Sequence, residues 1–134
     1  RPYCIRGMVV RGEGRGRSLG FPTANLWVPG NGKLIPHPGV YAVRAGVKGG
    51  LFEGAIHIGP RPTFRGSPPT IELHLMDFDG DLYGEQIRVE FIRYLRDVRP
   101  FASSSALVEQ LKADVDAART ALAMDGPPGQ AFRK

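Results

Sequence analysis

The sequence predicts a mainly β domain, small and either closed or sandwiched, with one long helix near its C-terminal end. Eighteen glycines and twelve prolines in 134 residues favour short strands joined by turns over a helical bundle. Apolar and polar residues alternate in several short runs, the period of half-buried strands. Helical spacing of apolar residues is convincing in one stretch, Ser103 to Met124. A chain of this length is one domain and can bury a single core.

In order along the chain, Ile5 to Val10 is an apolar-rich run that reads as a strand entering a glycine-rich segment. Leu26 to Pro38 contains Pro29, Gly30, Asn31, Gly32, Pro36 and Pro38 and reads as a loop. Val40 to Val47 and Phe52 to Ile58 read as strands, with Lys48-Gly49-Gly50 as the hairpin turn. Pro60 to Pro69 is a second loop. Ile71, Leu73 and Leu75 then alternate with Glu72, His74 and Met76, the mark of a half-buried strand. Asp79-Gly80 signals a hairpin into the next strand, Glu85 to Tyr94, which carries Ile87, Val89 and Phe91 on one face and Arg88 and Glu90 on the other. In the helix, Leu107, Leu111, Val115, Ala118 and Leu122 form a stripe expected to pack on the sheet. Ser103 or Ser104 can cap its start, and Gly126 with Pro127-Pro128 stops it. The domain is expected over residues 1–124, with residues 125–134 as a flexible tail.

The most informative run is Gly12-Glu13-Gly14-Arg15-Gly16-Arg17-Ser18-Leu19-Gly20-Phe21-Pro22-Thr23-Ala24-Asn25. Its glycines allow backbone N–H groups to approach a ligand closely, and successive amides can form an anion-binding nest. Its arginines suit phosphate. If the chain after Pro22 stays extended, Thr23 and Asn25 point to one side and could hold a metal ion carried by a polyphosphate. The run is neither a P-loop, for which the lysine is missing, nor a dinucleotide fingerprint, because Arg17 stands where the third glycine belongs.

A net charge of +5 suits an anionic ligand. Its arginines are spread along the chain without a long basic block, which places nucleic acid below a small phosphorylated ligand. Cys4 is the single cysteine, so an internal disulfide and a cysteine-cluster zinc site are excluded. No apolar stretch approaches the roughly 18 residues of a membrane span. No membrane partner and a cytoplasmic location are expected. The start at Arg1 rather than Met suggests an excised domain.

Taken together with Gly39-Val40-Tyr41, Ile58-Gly59-Pro60-Arg61-Pro62-Thr63-Phe64, Ile71-Glu72-Leu73-His74-Leu75, Asp81-Leu82-Tyr83-Gly84 and Leu95-Arg96 through Phe101, the glycine-rich run and its Pro-Thr-Ala-Asn sequence closely resemble the riboflavin kinase family. The matches fall in order across residues 3–122. The resemblance implies a mainly β, six-stranded antiparallel Greek-key-type barrel with one long C-terminal helix packed on it. It implies an ATP:riboflavin 5′-phosphotransferase that makes FMN and ADP. The alternative is a non-catalytic flavin- or nucleotide-binding module.

By resemblance, Glu72 is the catalytic base, although the strand pattern alone makes it a solvated carboxylate. Thr23 and Asn25 are implied as the magnesium side, Gly12, Arg17 and Ser18 as residues along the ATP phosphates, and Leu75, Asp77 and Tyr83 as residues lining the nucleotide, Leu75 through its backbone. Arg96, Arg99 and Phe101 fall on a flap implied to contact the flavin. The implied partner is an upstream FMN adenylyltransferase domain. Two positions depart from the family pattern. His57 stands where asparagine is common, and Val98 where an acidic residue is frequent.

Overall fold

A computed structural model describes residues 3–10, 23–29, 35–59, 70–78 and 80–126. The described chain forms six strands, β1 (Tyr3–Val10), β2 (Ala24–Trp27), β3 (Gly39–Val47), β4 (Gly50–Ile58), β5 (Ile71–Leu75) and β6 (Gln86–Arg96), followed by one helix, α1 (Ser104–Asp125). All pairings are antiparallel, and the sheet closes as a barrel in the order β1-β2-β5-β4-β3-β6. Within it β3, β4 and β5 are successive neighbours, and β6 returns to lie beside β3. That is the Greek-key pattern.

Alternation decides what faces in. Ile5, Val9, Leu26, Val43, Ala45, Val47, Ile56, Ile58, Ile71, Leu73, Leu75, Ile87, Val89 and Phe91 fill the barrel. A second cluster lies outside the wall, where Ala42, Ala55 and Met76 meet Ala118, Ala121 and Leu122 of α1. Small residues on the outer faces of β3 and β4 let the helix approach closely. Ser103 caps the helix, its Oγ accepting from the Ala106 amide at 3.1 Å.

Four local expectations are corrected. Leu26 and Trp27 are strand rather than loop, because the chain pairs with Val9 and Met8 before the Gly/Pro cluster begins. Gly50 belongs to β4, so the turn is the two residues Lys48-Gly49, whose φ values of 49° and 81° are those of a primed hairpin turn. The Asp79-Gly80 hairpin does not form, since β5 pairs with β2 and β4 while β6 pairs with β1 and β3. Gly80 does turn, with φ 142°, but a turn signal is local and barrel closure chooses the strand partners. Asp125 and Gly126, expected to open the tail, are held by the fully buried Arg44 of β3. Its Nη1 donates to Asp125 Oδ2 at 2.8 Å, and its Nη2 to the carbonyls of Leu122 at 3.2 Å and Gly126 at 2.7 Å. Residues 127–134 and the Pro60–Pro69 loop lie outside the described residues. No described helix is long and apolar enough to cross a membrane.

Candidate active site

Directly opposed residues of an antiparallel pair share a face. The register therefore strings one outward row across the wall: Val10 of β1, Asn25 of β2, Glu72 of β5, His57 of β4, Val40 of β3 and Arg96 of β6. Leu73 and Ile56, next to this row, point inward to the core. Thr23 precedes Asn25 by two residues, and its Oγ1 donates to Glu72 Oε1 at 3.4 Å, a loose contact.

Outside this wall a cavity of about 610 Å³ opens between the barrel, the segment after β6 and α1. Thr23, Glu72, His57 and His74 form its polar barrel side, over Val40 and Ala55. Arg99, Phe101 and the cap residue Ser103 line the flap side, and Leu107, Leu111, Asp114 and Val115 the helix side. The upper part of the helical stripe therefore faces the cavity rather than packing on the sheet as expected.

A chain of polar contacts ties flap to helix. Arg96 grips Asp114 with two parallel bonds, Nε to Oδ1 and Nη2 to Oδ2, each 2.8 Å, while Nη1 donates to the Asp97 carbonyl at 2.9 Å. Gln110 Nε2 donates to Asp114 Oδ1 at 2.9 Å, and Arg99 Nη2 donates to Gln110 Oε1. These bonds satisfy a buried carboxylate, which would be costly alone. The Phe101 ring sits 5.8 Å from the Arg96 guanidinium carbon and 5.5 Å from that of Arg99. Arg99 and Phe101 thus line the cavity, whereas Arg96 is not among its lining residues and braces its wall.

Of the positions expected along ATP, the described ones, Thr23, Leu75, Asp77 and Tyr83, lie at the end of the barrel where β1 and β5 finish and β2 begins. Leu75 is buried in the core, which leaves only its backbone outward. Asp77 follows with φ 57° and an exposed carboxylate 3.8 Å from Arg119. Tyr83 is exposed in a turn held against β1, where Gly84 N donates to the Val9 carbonyl at 2.9 Å. Gly12, Arg17 and Ser18 lie outside the described residues. Thr23 and Glu72 line the cavity, and Asn25 is paired with Glu72 in the outward row.

Burial lowers the His57 pKa below the usual imidazole range, and Glu72 opposes the shift less strongly. Arg96 lowers it further and Asp114 raises it. Among the described residues no cluster of His, Cys, Asp and Glu could hold a metal ion. Thr23 and Asn25 offer neutral oxygens instead.

Sequence reasoning missed the role of His57 in this row and the buried Asp114 with its partner Gln110. Asp114 carried one signal, a carboxylate beside Val115 in an otherwise apolar stripe. Its partner Arg96 lies 18 residues away, on another element, so the pairing could not be read locally.

Residues 1–122 match the family model described as Flavokinase: Riboflavin kinase. The chain is 42% identical over 117 residues to the bifunctional riboflavin kinase/FMN adenylyltransferase of Bacillus subtilis, covering 85% of this chain and 37% of that protein. It is 39% identical over 127 residues to the Escherichia coli K12 protein of the same description, covering 94% of this chain and 40% of that one. Among solved structures, the riboflavin kinase of Trypanosoma brucei superposes with a TM-score of 0.67 at 28% identity, covering 98% of this chain and 85% of that one. A Streptococcus pneumoniae protein described as a macrolide-efflux protein superposes with a TM-score of 0.81 at 38% identity, covering 88% of this chain and 38% of that one.

Proposed function

Because this chain belongs to the riboflavin kinase family, we propose that it transfers the γ-phosphoryl group of ATP to the ribityl 5′-hydroxyl of riboflavin, giving FMN and ADP. The observation that supports this reading is Glu72 on the wall of a cavity of about 610 Å³ that Arg99 and Phe101 also line, with the Thr23 hydroxyl 3.4 Å from its carboxylate.

The hydroxyl oxygen attacks the γ-phosphorus as the bond to the ADP oxygen breaks. Glu72 accepts the hydroxyl proton as the attack proceeds, the task of a positioned carboxylate acting as general base. Arg99 and Phe101 hold the isoalloxazine side, and Arg96 acts through Asp114 to keep that wall in place. Thr23 and Asn25 fit a hard divalent cation, since Mg²⁺ takes oxygen ligands and brings waters and phosphate oxygens of its own. When bound with ATP, magnesium supplies charge neutralisation across the transferring phosphates. Gly12, Arg17, Ser18, Asp77, Tyr83 and the Leu75 backbone complete the nucleotide side.

We place the module in the cytoplasm, beside an FMN adenylyltransferase domain of the kind named in its relatives, with no nucleic-acid or membrane partner.

The deciding experiment is single-turnover FMN formation by Glu72→Gln. The variant keeps shape and loses basicity, so the chemical step should slow by roughly 10², with Mg-ATP binding retained. A folded variant reacting at the wild-type rate would return Glu72 to the role of a solvated strand residue.

A further inference from the structure

We propose that His57 recognises the ribityl chain of the acceptor, hydrogen-bonding hydroxyls between the reacting 5′ end and the isoalloxazine ring; this assignment rests on the phosphotransfer reading above.

The register carries it. Along the outward row the order is Asn25, Glu72, His57, Val40, Arg96, with neighbouring strands about 4.8 Å apart. An acceptor whose 5′-hydroxyl meets Glu72 and whose ring reaches Arg99 and Phe101 must pass over the strand in between. The polyol is the part of riboflavin that makes this crossing. On that strand the cavity is lined by His57 and Ala55, and the next strand adds only Val40. Of the two strands crossed, β4 and β3, His57 is thus the polar side chain that lines the cavity, with His74 beside Glu72 on β5 and Asp114 on the helix side.

Its chemistry suits the task. A neutral imidazole carries one donor and one acceptor, which matches a hydroxyl that both donates and accepts. Burial favours the neutral form, with Glu72, Arg96 and Asp114 as the charged groups acting on it. An imidazolium there would offer donors only. Asparagine also has a donor and an acceptor on a short side chain, so an amide at this position can serve the same contact.

The test pairs a ligand change with a residue change. Flavin fluorescence quenching gives dissociation constants for riboflavin and for its analogue lacking the 2′- and 3′-hydroxyls, each in the presence of Mg-ADP. Wild type should bind the analogue about tenfold more weakly, equivalent to about 1.4 kcal/mol. His57→Phe should bind riboflavin about tenfold more weakly than wild type and show little further loss with the analogue. His57→Asn should keep most of the preference. Equal preference for riboflavin in wild type and His57→Phe would overturn the assignment. So would a wild-type protein that does not distinguish the two flavins, a result that needs no folded variant. Failure of the Glu72 reading is separable, because it appears in the single-turnover rate of Glu72→Gln and leaves these binding constants untouched.

Discussion

Thr23 is the residue at which the proposed metal side and the proposed base meet. Its hydroxyl touches Glu72 and lies on the face it shares with Asn25. Thr23→Ala should lower turnover at least about tenfold, or about 1.4 kcal/mol of transition-state stabilisation, and steady-state kinetics across magnesium concentrations would show it. A wild-type rate would remove Thr23 from the metal side. His57 makes a different statement, about stability. Its pKa in the fold is depressed by burial, so the unfolded chain binds the proton more readily. The stability this histidine allows is complete above about pH 6.5 and falls as the pH drops through that value toward the lowered folded one. Urea midpoints for wild type should therefore decline between about pH 7 and pH 5 more steeply than those of His57→Asn. Parallel slopes would mean that the imidazole is not held neutral.

At the scale of elements, the cavity depends on how α1 is seated. The helix is capped at its start by Ser103, held at its middle by Arg96 on Asp114, and pinned at its end by Arg44 on Asp125 and two carbonyls. Arg44 has no exposed surface, and it stands opposite Glu90, whose pKa burial raises against the pull of Arg88 and Arg44. Arg44→Met keeps most of the volume but strands the helix-end carbonyls and Asp125. A loss of about 1.5–3 kcal/mol is expected, the usual range for a hydrogen bond to a charged group. Chemical denaturation would measure it, and an unchanged midpoint would show that Ala118, Ala121 and Leu122 suffice to dock the helix.

On the scale of the whole molecule, the chain spans less than half the length of the bifunctional relatives it matches, 37% of the Bacillus subtilis protein and 40% of the Escherichia coli one. Its matched residues are those of the kinase family model. Incubated with riboflavin, ATP and magnesium, this chain should form FMN and stop there. Chromatography of the flavins would show a single new product. Appearance of FAD would mean that the barrel also carries adenylyl transfer.

The sequence by itself determined the class of fold, five of the six strands, the helix with its Ser103 cap, and the short motifs that carry the family. Each is a matter of period, turn chemistry or residue type within a few positions, and such information is local. Tertiary structure alone decided the rest. Barrel closure separated β5 from β6 despite the Asp79-Gly80 turn signal and made a strand of Leu26 and Trp27. The same closure brought Asn25, Glu72, His57 and Arg96 into one row from four strands. The seating of α1 turned Leu107, Leu111 and Val115 of the packing stripe into a cavity wall. These outcomes depend on which strand lies beside which and on the pairing register. Both are set by burying the apolar faces of six strands at once, a condition that no short segment contains.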